Sequence, residues 1–239
     1  MNKISITAKD KVFVLTGAGI SAESGLPTFR SENGLWAGHR VEDVCVPEAW
    51  RRDPWGVWKF YSELRVAGDE AQPNPAHVAL AELEQQLGDR FFLCTQNVDN
   101  LHERAGSRRL VHMHGDLSMA RCERECGRPP VVDRTIYGSL GEVGRCACGG
   151  RMRPHIVFFN EVPLEMERIE AEIQKSTLMV VVGTSGSVYP AAGFVHWARL
   201  AGAHAVYVGP EAPLNASAFA HVVEGKAGEV LPGLFQVTG

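Results

Sequence analysis

The segment Val12-Phe-Val-Leu-Thr-Gly-Ala-Gly-Ile-Ser-Ala-Glu-Ser-Gly-Leu-Pro-Thr-Phe-Arg30 decides the fold. It begins with an apolar run of the kind found in strands that are buried on both faces. The run leads into Gly17-x-Gly19-x-x-Ala22, where small residues let backbone amides approach a ligand closely. A strand, such a loop and a helix start together favour a pyrophosphate site at the helix N-terminus. A simple glycine turn between strand and helix is the alternative.

Other short apolar runs recur along the chain with helical patterns between several of them. They are Val12–Thr16, Phe91–Thr95, Leu110–Met113, Ile156–Phe159, Leu178–Gly183 and Ala203–Val208. Asn74-Pro75 is typical of a helix start, and Pro163 is expected to begin another helix. This alternation predicts an α/β fold with a doubly wound, Rossmann-like parallel sheet, whose ligands bind at the carboxyl ends of the strands.

Composition excludes some classes of partner. The chain has 24 basic and 28 acidic residues and a formal net charge of −4, which gives no electrostatic footprint for nucleic acid or an anionic membrane. The first residues do not resemble a secretory signal, and no apolar run reaches the length of a membrane span. We therefore expect a cytoplasmic protein with neither nucleic acid nor membrane as a partner.

Four cysteines have the paired spacing of a metal site. Cys122 and Cys126 are followed, after nineteen residues, by Cys146 and Cys148. Two such pairs are typical of tetrahedral zinc sites, and disulfides are disfavoured in the cytoplasm, so a metal site or coincidence remains. We favour structural zinc, although one residue between Cys146 and Cys148 is fewer than usual.

Polar residues follow two of the predicted strands. Gln96, Asn97 and Asp99 come directly after Phe91–Thr95, where they suit either ligand binding or an Asx turn that caps a helix. His112 and His114 flank one residue at a strand end, so their side chains point to opposite faces. An imidazole next to a ligand edge is a candidate general base.

Several of these segments together resemble the sirtuins, the NAD-dependent protein-lysine deacylases. The resemblance rests on Gly17–Gly25 with Pro27–Arg30, Thr95–His102, His114–Asp116, Arg153–Glu161, Gly183–Ser185 and Gly225–Pro232, in that order. It implies a Rossmann-like NAD-binding domain of residues 1–30, 69–116 and 154–239, with a small lobe of residues 31–68 and 117–153. The small lobe would consist of a helical segment and a zinc module.

The resemblance also implies which residues bind NAD. Asp99 would bind the nicotinamide carboxamide and Asn97 would order the reacting ribose, while Phe29 and Arg30 close over the cofactor. At Gly209 the family commonly has asparagine, so this contact with the adenosine ribose would be absent or made by backbone. The full set comprises Gly17, Ala18, Gly19, Ser21, Ala22, Thr28, Phe29, Arg30, Trp36, Gln96, Asn97, Asp99, Gly183, Thr184, Ser185, Gly209, Pro210, Glu211 and Ala227.

The reaction implied by the resemblance joins NAD and an acylated lysine of a protein. The acyl oxygen displaces nicotinamide, and His114, with Asn97 as the second catalytic residue, removes a proton from a ribose hydroxyl that then attacks the acyl carbon. The products are nicotinamide, O-acyl-ADP-ribose and free lysine. The alternatives are an NAD-binding sensor without catalysis, an NAD glycohydrolase and a mono-ADP-ribosyltransferase.

The acyl pocket is expected to contain Cys45, Tyr61, Leu64, Val157 and Phe158. Relatives that remove succinyl and malonyl groups have an arginine three positions after the tyrosine, where this chain has Leu64. Arg65 follows, but one residue along a helix is a rotation of about 100°, which points it away from the pocket. We therefore expect a deacetylase that accepts longer neutral acyl groups, with a desuccinylase or demalonylase as the alternative.

Overall fold

A computed structural model of the protein describes residues 3–30 and 35–238, and the side chains of Phe29, Arg30 and Leu35 lie outside that description. The strands are β1 Ile4–Thr7, β2 Val12–Thr16, β3 Phe29–Arg30, β4 Leu35–Trp36, β5 His39–Arg40, β6 Phe91–Thr95, β7 Leu110–His112, β8 Gly115–Cys122, β9 Val131–Val132, β10 Met152–Ile156, β11 Leu178–Val182, β12 His204–Gly209, β13 His221–Glu224 and β14 Phe235–Thr238. The helices are α1 Val41–Val44, α2 Pro47–Arg52, α3 Pro54–Glu70, α4 Pro75–Leu87, α5 Leu101–Ala105, α6 Met166–Lys175, α7 Phe194–Leu200 and α8 Ala227–Leu234.

The main sheet has six strands in the order β13-β12-β11-β2-β6-β7, and every neighbouring pair is parallel. β2 lies inside the sheet, where Val12 is in register with Leu178 of β11 and with Phe91 of β6. The doubly wound parallel sheet expected from the sequence is therefore confirmed.

Alternate residues of the central strands face two different hydrophobic clusters. Val14 packs in the cluster that contains α4 and α8, whereas Phe13 packs in the cluster that contains α6 and α7. Helices thus cover both faces of the sheet, and this double coverage explains why its central strands are almost continuously apolar.

A third hydrophobic cluster joins segments that interrupt the α/β alternation. It contains residues of α1–α3 together with Leu117 of β8, Ile156 of β10 and the loop residue Phe158. Nearby, β8 is paired with β9 and β10 in a separate antiparallel sheet. We propose this cluster as the core of the small lobe.

Two expectations about local structure are wrong. The run Ile156–Phe159 is not a strand of the parallel sheet, because Ile156 ends β10, which is antiparallel to β8, and the next residues form a loop. The helix expected from Pro163 begins at Met166. Among the described residues, no helix combines the length and the apolar character needed to cross a bilayer.

Candidate active site

A cavity of about 450 Å³ lies at the carboxyl ends of the central strands. Gly17, Gln96, Gly183 and Pro210, which directly follow β2, β6, β11 and β12, all line it. Residues of the third hydrophobic cluster, among them Leu64, complete the wall. The cavity therefore lies where a ligand is expected in a doubly wound sheet.

The glycine loop after β2 packs directly against the loop after β11. Gly17 N–H donates to Val182 O at 3.0 Å, and Gly19 N–H donates to Gly183 O at 2.9 Å. A Cβ atom at Gly19 would lie only 2.7 Å from the Gly183 Cα atom. The glycines are therefore needed for close contact between two loops of the cavity wall, which the sequence pattern alone did not indicate.

Ser21, Asn97 and Asp99 form a buried polar cluster on the wall. The Ser21 hydroxyl donates to Asp99 Oδ2 at 3.1 Å, and the Asn97 amide donates to Ser21 Oγ at 3.0 Å. Burial raises the pKa of the Asp99 carboxyl, and hydrogen bonds from Leu101 N–H and Ser21 oppose that rise. The cluster offers a carboxylate and an amide in fixed positions, as suits a ribose or a carboxamide.

His114 lines the same cavity, and its Nδ1 atom lies 3.1 Å from the carbonyl oxygen of Gln96. Because a carbonyl only accepts, the neutral ring carries its proton on Nδ1 and its lone pair on Nε2. Burial lowers the pKa of His114, against the effect of the Gln96 carbonyl. The ring is therefore available as a neutral base.

His112 has a different environment and does not line the cavity. Its ring nitrogens lie 2.9 Å from Asn97 O and 2.6 Å from Glu103 Oε1. Burial disfavours the charged ring, but the hydrogen bond and charge of Glu103 outweigh it and raise the pKa of His112 to about 9. The two histidines thus have opposite electrostatic environments, as their placement on opposite faces of the chain predicts.

A buried polar chain that sequence reasoning missed lies beneath this wall. His102 Nε2 lies 3.0 Å from Thr16 Oγ1, which donates to Thr95 Oγ1 at 2.9 Å. The His102 ring centroid is 4.9 Å from that of His77, whose Nε2 is 3.5 Å from Ser21 Oγ. The only sequence signal was the position of His77 in the first turn of the helix capped by Asn74.

The expected acyl pocket is only partly as the sequence suggested. Cys45, Leu64, Val157 and Phe158 line the cavity. Tyr61 does not line it, because its fully buried ring is packed behind Phe158 with ring centroids 6.3 Å apart.

Most, but not all, of the residues expected to bind NAD line the cavity. Residues that line the cavity are Gly17, Ala18, Gly19, Ser21, Thr28, Trp36, Gln96, Asn97, Asp99, Gly183, Thr184, Ser185, Pro210 and Glu211. Ala22, Gly209 and Ala227 are not on the wall, and the side chains of Phe29 and Arg30 are outside the described part of the chain. At Gly209, a side chain would overlap with the hydroxyl of Tyr207, which itself lines the cavity and donates to Thr184 O at 3.0 Å.

Cys122, Cys126, Cys146 and Cys148 converge, with their four sulfur atoms within 4.8 Å of one another. Four thiolates around zinc lie about 3.8 Å apart, so this donor set fits a closed tetrahedral zinc site. A Cβ atom at Gly150 would lie 2.8 Å from Cys122 Sγ, so the glycine leaves room for the short Cys-x-Cys turn. The cluster is suited to a structural rather than a catalytic metal, because it leaves no ligand position open.

Comparisons with known proteins agree with this architecture. An NAD-dependent protein deacylase of Pasteurella multocida is 48% identical over 235 residues, covering 95% of this chain and 97% of the relative. One of Vibrio cholerae is 48% identical over 227 residues, covering 94% and 92%.

Solved structures show the same fold. A Sir2 homologue–NAD complex superposes with a TM-score of 0.84 at 38% identity, covering 94% of this chain and 88% of that one. A Sir2 structure with a p53 peptide and NAD+ has a TM-score of 0.78 at 29% identity, covering 92% and 89%. The Sir2 family model matches residues 17–190, which contain the glycine loop, both histidines and all four clustered cysteines. The chain therefore belongs to the Sir2 family.

Proposed function

We propose that this protein is an NAD-dependent protein-lysine deacylase, which releases nicotinamide, O-acyl-ADP-ribose and free lysine. The observation that carries the proposal is His114, which lines a cavity with a polar side and an apolar side and has its lone pair on Nε2. The names of relatives 48% identical to this chain support it. A sensor without catalysis would not need a neutral imidazole at this position.

In this proposal the polar side holds NAD, which supplies the ADP-ribosyl group that receives the acyl group. The glycine loop at Gly17–Gly19 faces the phosphates, and Thr184 and Ser185 face the adenosine half. Asp99 binds the nicotinamide carboxamide, and Asn97 orders the ribose next to it. Ser21 keeps both polar side chains in place through its two hydrogen bonds.

His114 acts as the general base. Its Nε2 atom accepts the proton of a ribose hydroxyl, while Nδ1–H remains bonded to Gln96 O. The lowered pKa keeps the ring neutral near pH 7, so the lone pair is available before the reaction begins.

The apolar side receives the acylated lysine of a protein. Cys45, Leu64 and Phe158 offer no positive charge there, so a carboxylate at the end of an acyl chain would lose its hydration without gaining a partner. The pocket thus favours acetyl and longer neutral acyl groups over succinyl and malonyl groups.

A direct test incubates the protein with one acyl-lysine peptide and NAD and follows the products by mass spectrometry. Deacylated peptide and O-acyl-ADP-ribose in equal amounts are expected. ADP-ribose without deacylated peptide would instead identify a glycohydrolase, and an ADP-ribosylated protein would identify a transferase. Binding of NAD without any product would indicate a sensor.

A further inference from the structure

The wall that faces the proposed acyl chain is a short loop whose consecutive amides are bonded to three different partners. Val157 N–H donates to His114 O at 2.9 Å, and Phe159 N–H donates to Cys45 O at 2.8 Å. Between them, Phe158 N–H donates to the Glu161 carboxylate at 2.9 Å. The first two partners are backbone carbonyls, whereas the third is the side chain of Glu161.

Two arginines of the antiparallel sheet hold the Glu161 carboxylate. Arg153 donates through both terminal nitrogens, at 2.7 Å to Oε1 and 2.8 Å to Oε2, and Arg121 donates to Oε2 at 2.7 Å. Both arginines also donate to Ile156 O, directly before the loop. Arg121 on β8 and Arg153 on β10 are register partners. The charged cluster of Arg121, Arg153 and Glu161 therefore connects the paired strands to the loop.

The buried charges in this cluster are balanced only when all three of its members are present. The side chains of Arg121, Arg153 and Glu161 are only 14%, 6% and 20% exposed. Burial disfavours the Glu161 carboxylate, but the hydrogen bonds of Arg153 and Phe158 N–H and the charges of both arginines outweigh it and lower the pKa of Glu161. The charged carboxylate separates two guanidinium groups that would otherwise repel each other.

The same cluster also fixes a side chain of the cavity wall. The guanidinium carbon of Arg153 lies 3.9 Å from the centre of the Phe158 ring, and Phe158 lines the cavity. The Phe158 ring also stacks on that of Tyr61, with ring centroids 6.3 Å apart. Backbone and side chain of Phe158 are therefore both held by this cluster, in which Glu161 also lines the cavity whereas Arg153 does not.

We propose that Glu161 and Arg153 are positioning residues for the acylated lysine, which hold Phe158 in the shape that the acyl chain requires. This proposal rests on the proposed deacylase function. The NAD side of the cavity depends on the loops after the parallel strands. Within the described residues, the hydrogen bonds of this cluster reach Ile156 and Phe158 and none of those loops. Loosening it therefore weakens use of the acyl-lysine substrate and leaves NAD binding intact.

The test compares full-length, zinc-loaded wild type with Glu161→Gln and Arg153→Lys. For each protein it measures kcat, KM for an acyl-lysine peptide, KM for NAD, and binding of a labelled acyl-lysine peptide by fluorescence anisotropy. Glu161→Gln loses charge-assisted hydrogen bonds, so its peptide KM is expected to rise by about tenfold or more while KM for NAD changes by less than about twofold. Arg153→Lys keeps the charge but loses the paired contact, with an expected rise of about threefold to tenfold.

Glu84→Gln is the matched control, because Glu84 is a buried carboxylate that accepts two backbone N–H groups and does not line the cavity. It is expected to lower the free energy of unfolding without changing either KM. If Glu161→Gln does not fold, the two KM values of Arg153→Lys test the proposal. An unchanged peptide KM in a folded variant, or an equal rise of both KM values, overturns the positioning role. If the wild-type protein neither binds nor deacylates the peptide, the result instead overturns the proposed deacylase function, on which the positioning role rests.

Discussion

Leu64 and Arg65 are adjacent on α3 but face different parts of the molecule. Leu64 lines the cavity, whereas the Arg65 side chain is buried and donates from Nε to Leu117 O at 2.7 Å and from Nη1 to Thr135 O at 2.8 Å. The expectation that Arg65 points away from the pocket is thus confirmed. Its guanidinium instead joins α3 to β8 and to the chain after β9.

This arrangement predicts acyl specificity. On one peptide sequence, kcat/KM is expected to be higher for acetyl and butyryl lysine than for succinyl lysine. Leu64→Arg should raise kcat/KM for the succinyl peptide by about tenfold or more, because it supplies a charged partner for the carboxylate. Leu64→Met is the control and should keep the wild-type order. A wild-type preference for succinyl that is lost in Arg65→Ala would contradict this view of the pocket.

Removing the proposed base should separate catalysis from binding. His114→Ala is expected to lower kcat by about 10²- to 10⁴-fold, the usual effect of losing a general base. Affinity for ADP-ribose, measured by calorimetry, should remain near that of wild type, because His114 is not part of the glycine loop. His196→Ala, at an exposed histidine, is the control. Turnover near normal in His114→Ala would exclude it as the base.

The pH profile should reflect the environment of His114. Protonation of Nε2 at low pH removes the lone pair, so kcat/KM falls on the acid side. Since burial lowers the pKa of His114, the midpoint of this fall should lie below the ordinary imidazole value of 6.5. The measurement is kcat/KM for the peptide between about pH 5 and pH 8, at a saturating concentration of NAD. A midpoint above 6.5 would contradict this assignment.

The cysteine cluster predicts about one zinc ion per chain by elemental analysis. Cys122→Ser should lose the metal and make the segment 117–153 sensitive to limited proteolysis, because zinc sites of this type contribute directly to folding. Cys94→Ala, at a buried cysteine outside the cluster, should retain the metal. A metal-free wild-type protein that is still folded and active would contradict the zinc site.

Gly209 and Tyr207 should be energetically coupled. Gly209→Ala would overlap with the phenol of Tyr207, so it is expected to lower the free energy of unfolding by about 1–3 kcal/mol and to raise KM for NAD. Tyr207→Val removes the overlapping ring, so the effect of Gly209→Ala should be smaller in that background. Urea unfolding of the two single variants and the double variant measures this coupling. Additive effects would show that the two positions are independent.

The parallel sheet could be predicted because its central strands are buried on both faces. Such strands are continuously apolar, so Val12–Thr16 and Phe91–Thr95 have the predicted bounds. The same signal was misleading at Ile156–Phe159, where apolar residues end an antiparallel strand and then line a cavity. The edge strand β13 was missed because it is short and only partly buried.

The site was predictable where side chains directly follow strands. Asn97, Asp99 and His114 were found in this way, and all three line the cavity. The contact between His102 and Thr16 could not be predicted, because it joins residues 86 positions apart and exists only in the folded chain. The domain boundaries, the roles of the site residues and the cytoplasmic location remain predictions.

The position of β2 inside the sheet affects how the protein folds during its synthesis. Val12 pairs with Phe91 on one side and with Leu178 on the other, 166 residues later in the chain. Until β11 leaves the ribosome, one edge of this fully buried strand has no β partner. Chaperones that bind unpaired strands are therefore expected to contact the nascent chain until residue 182 has emerged.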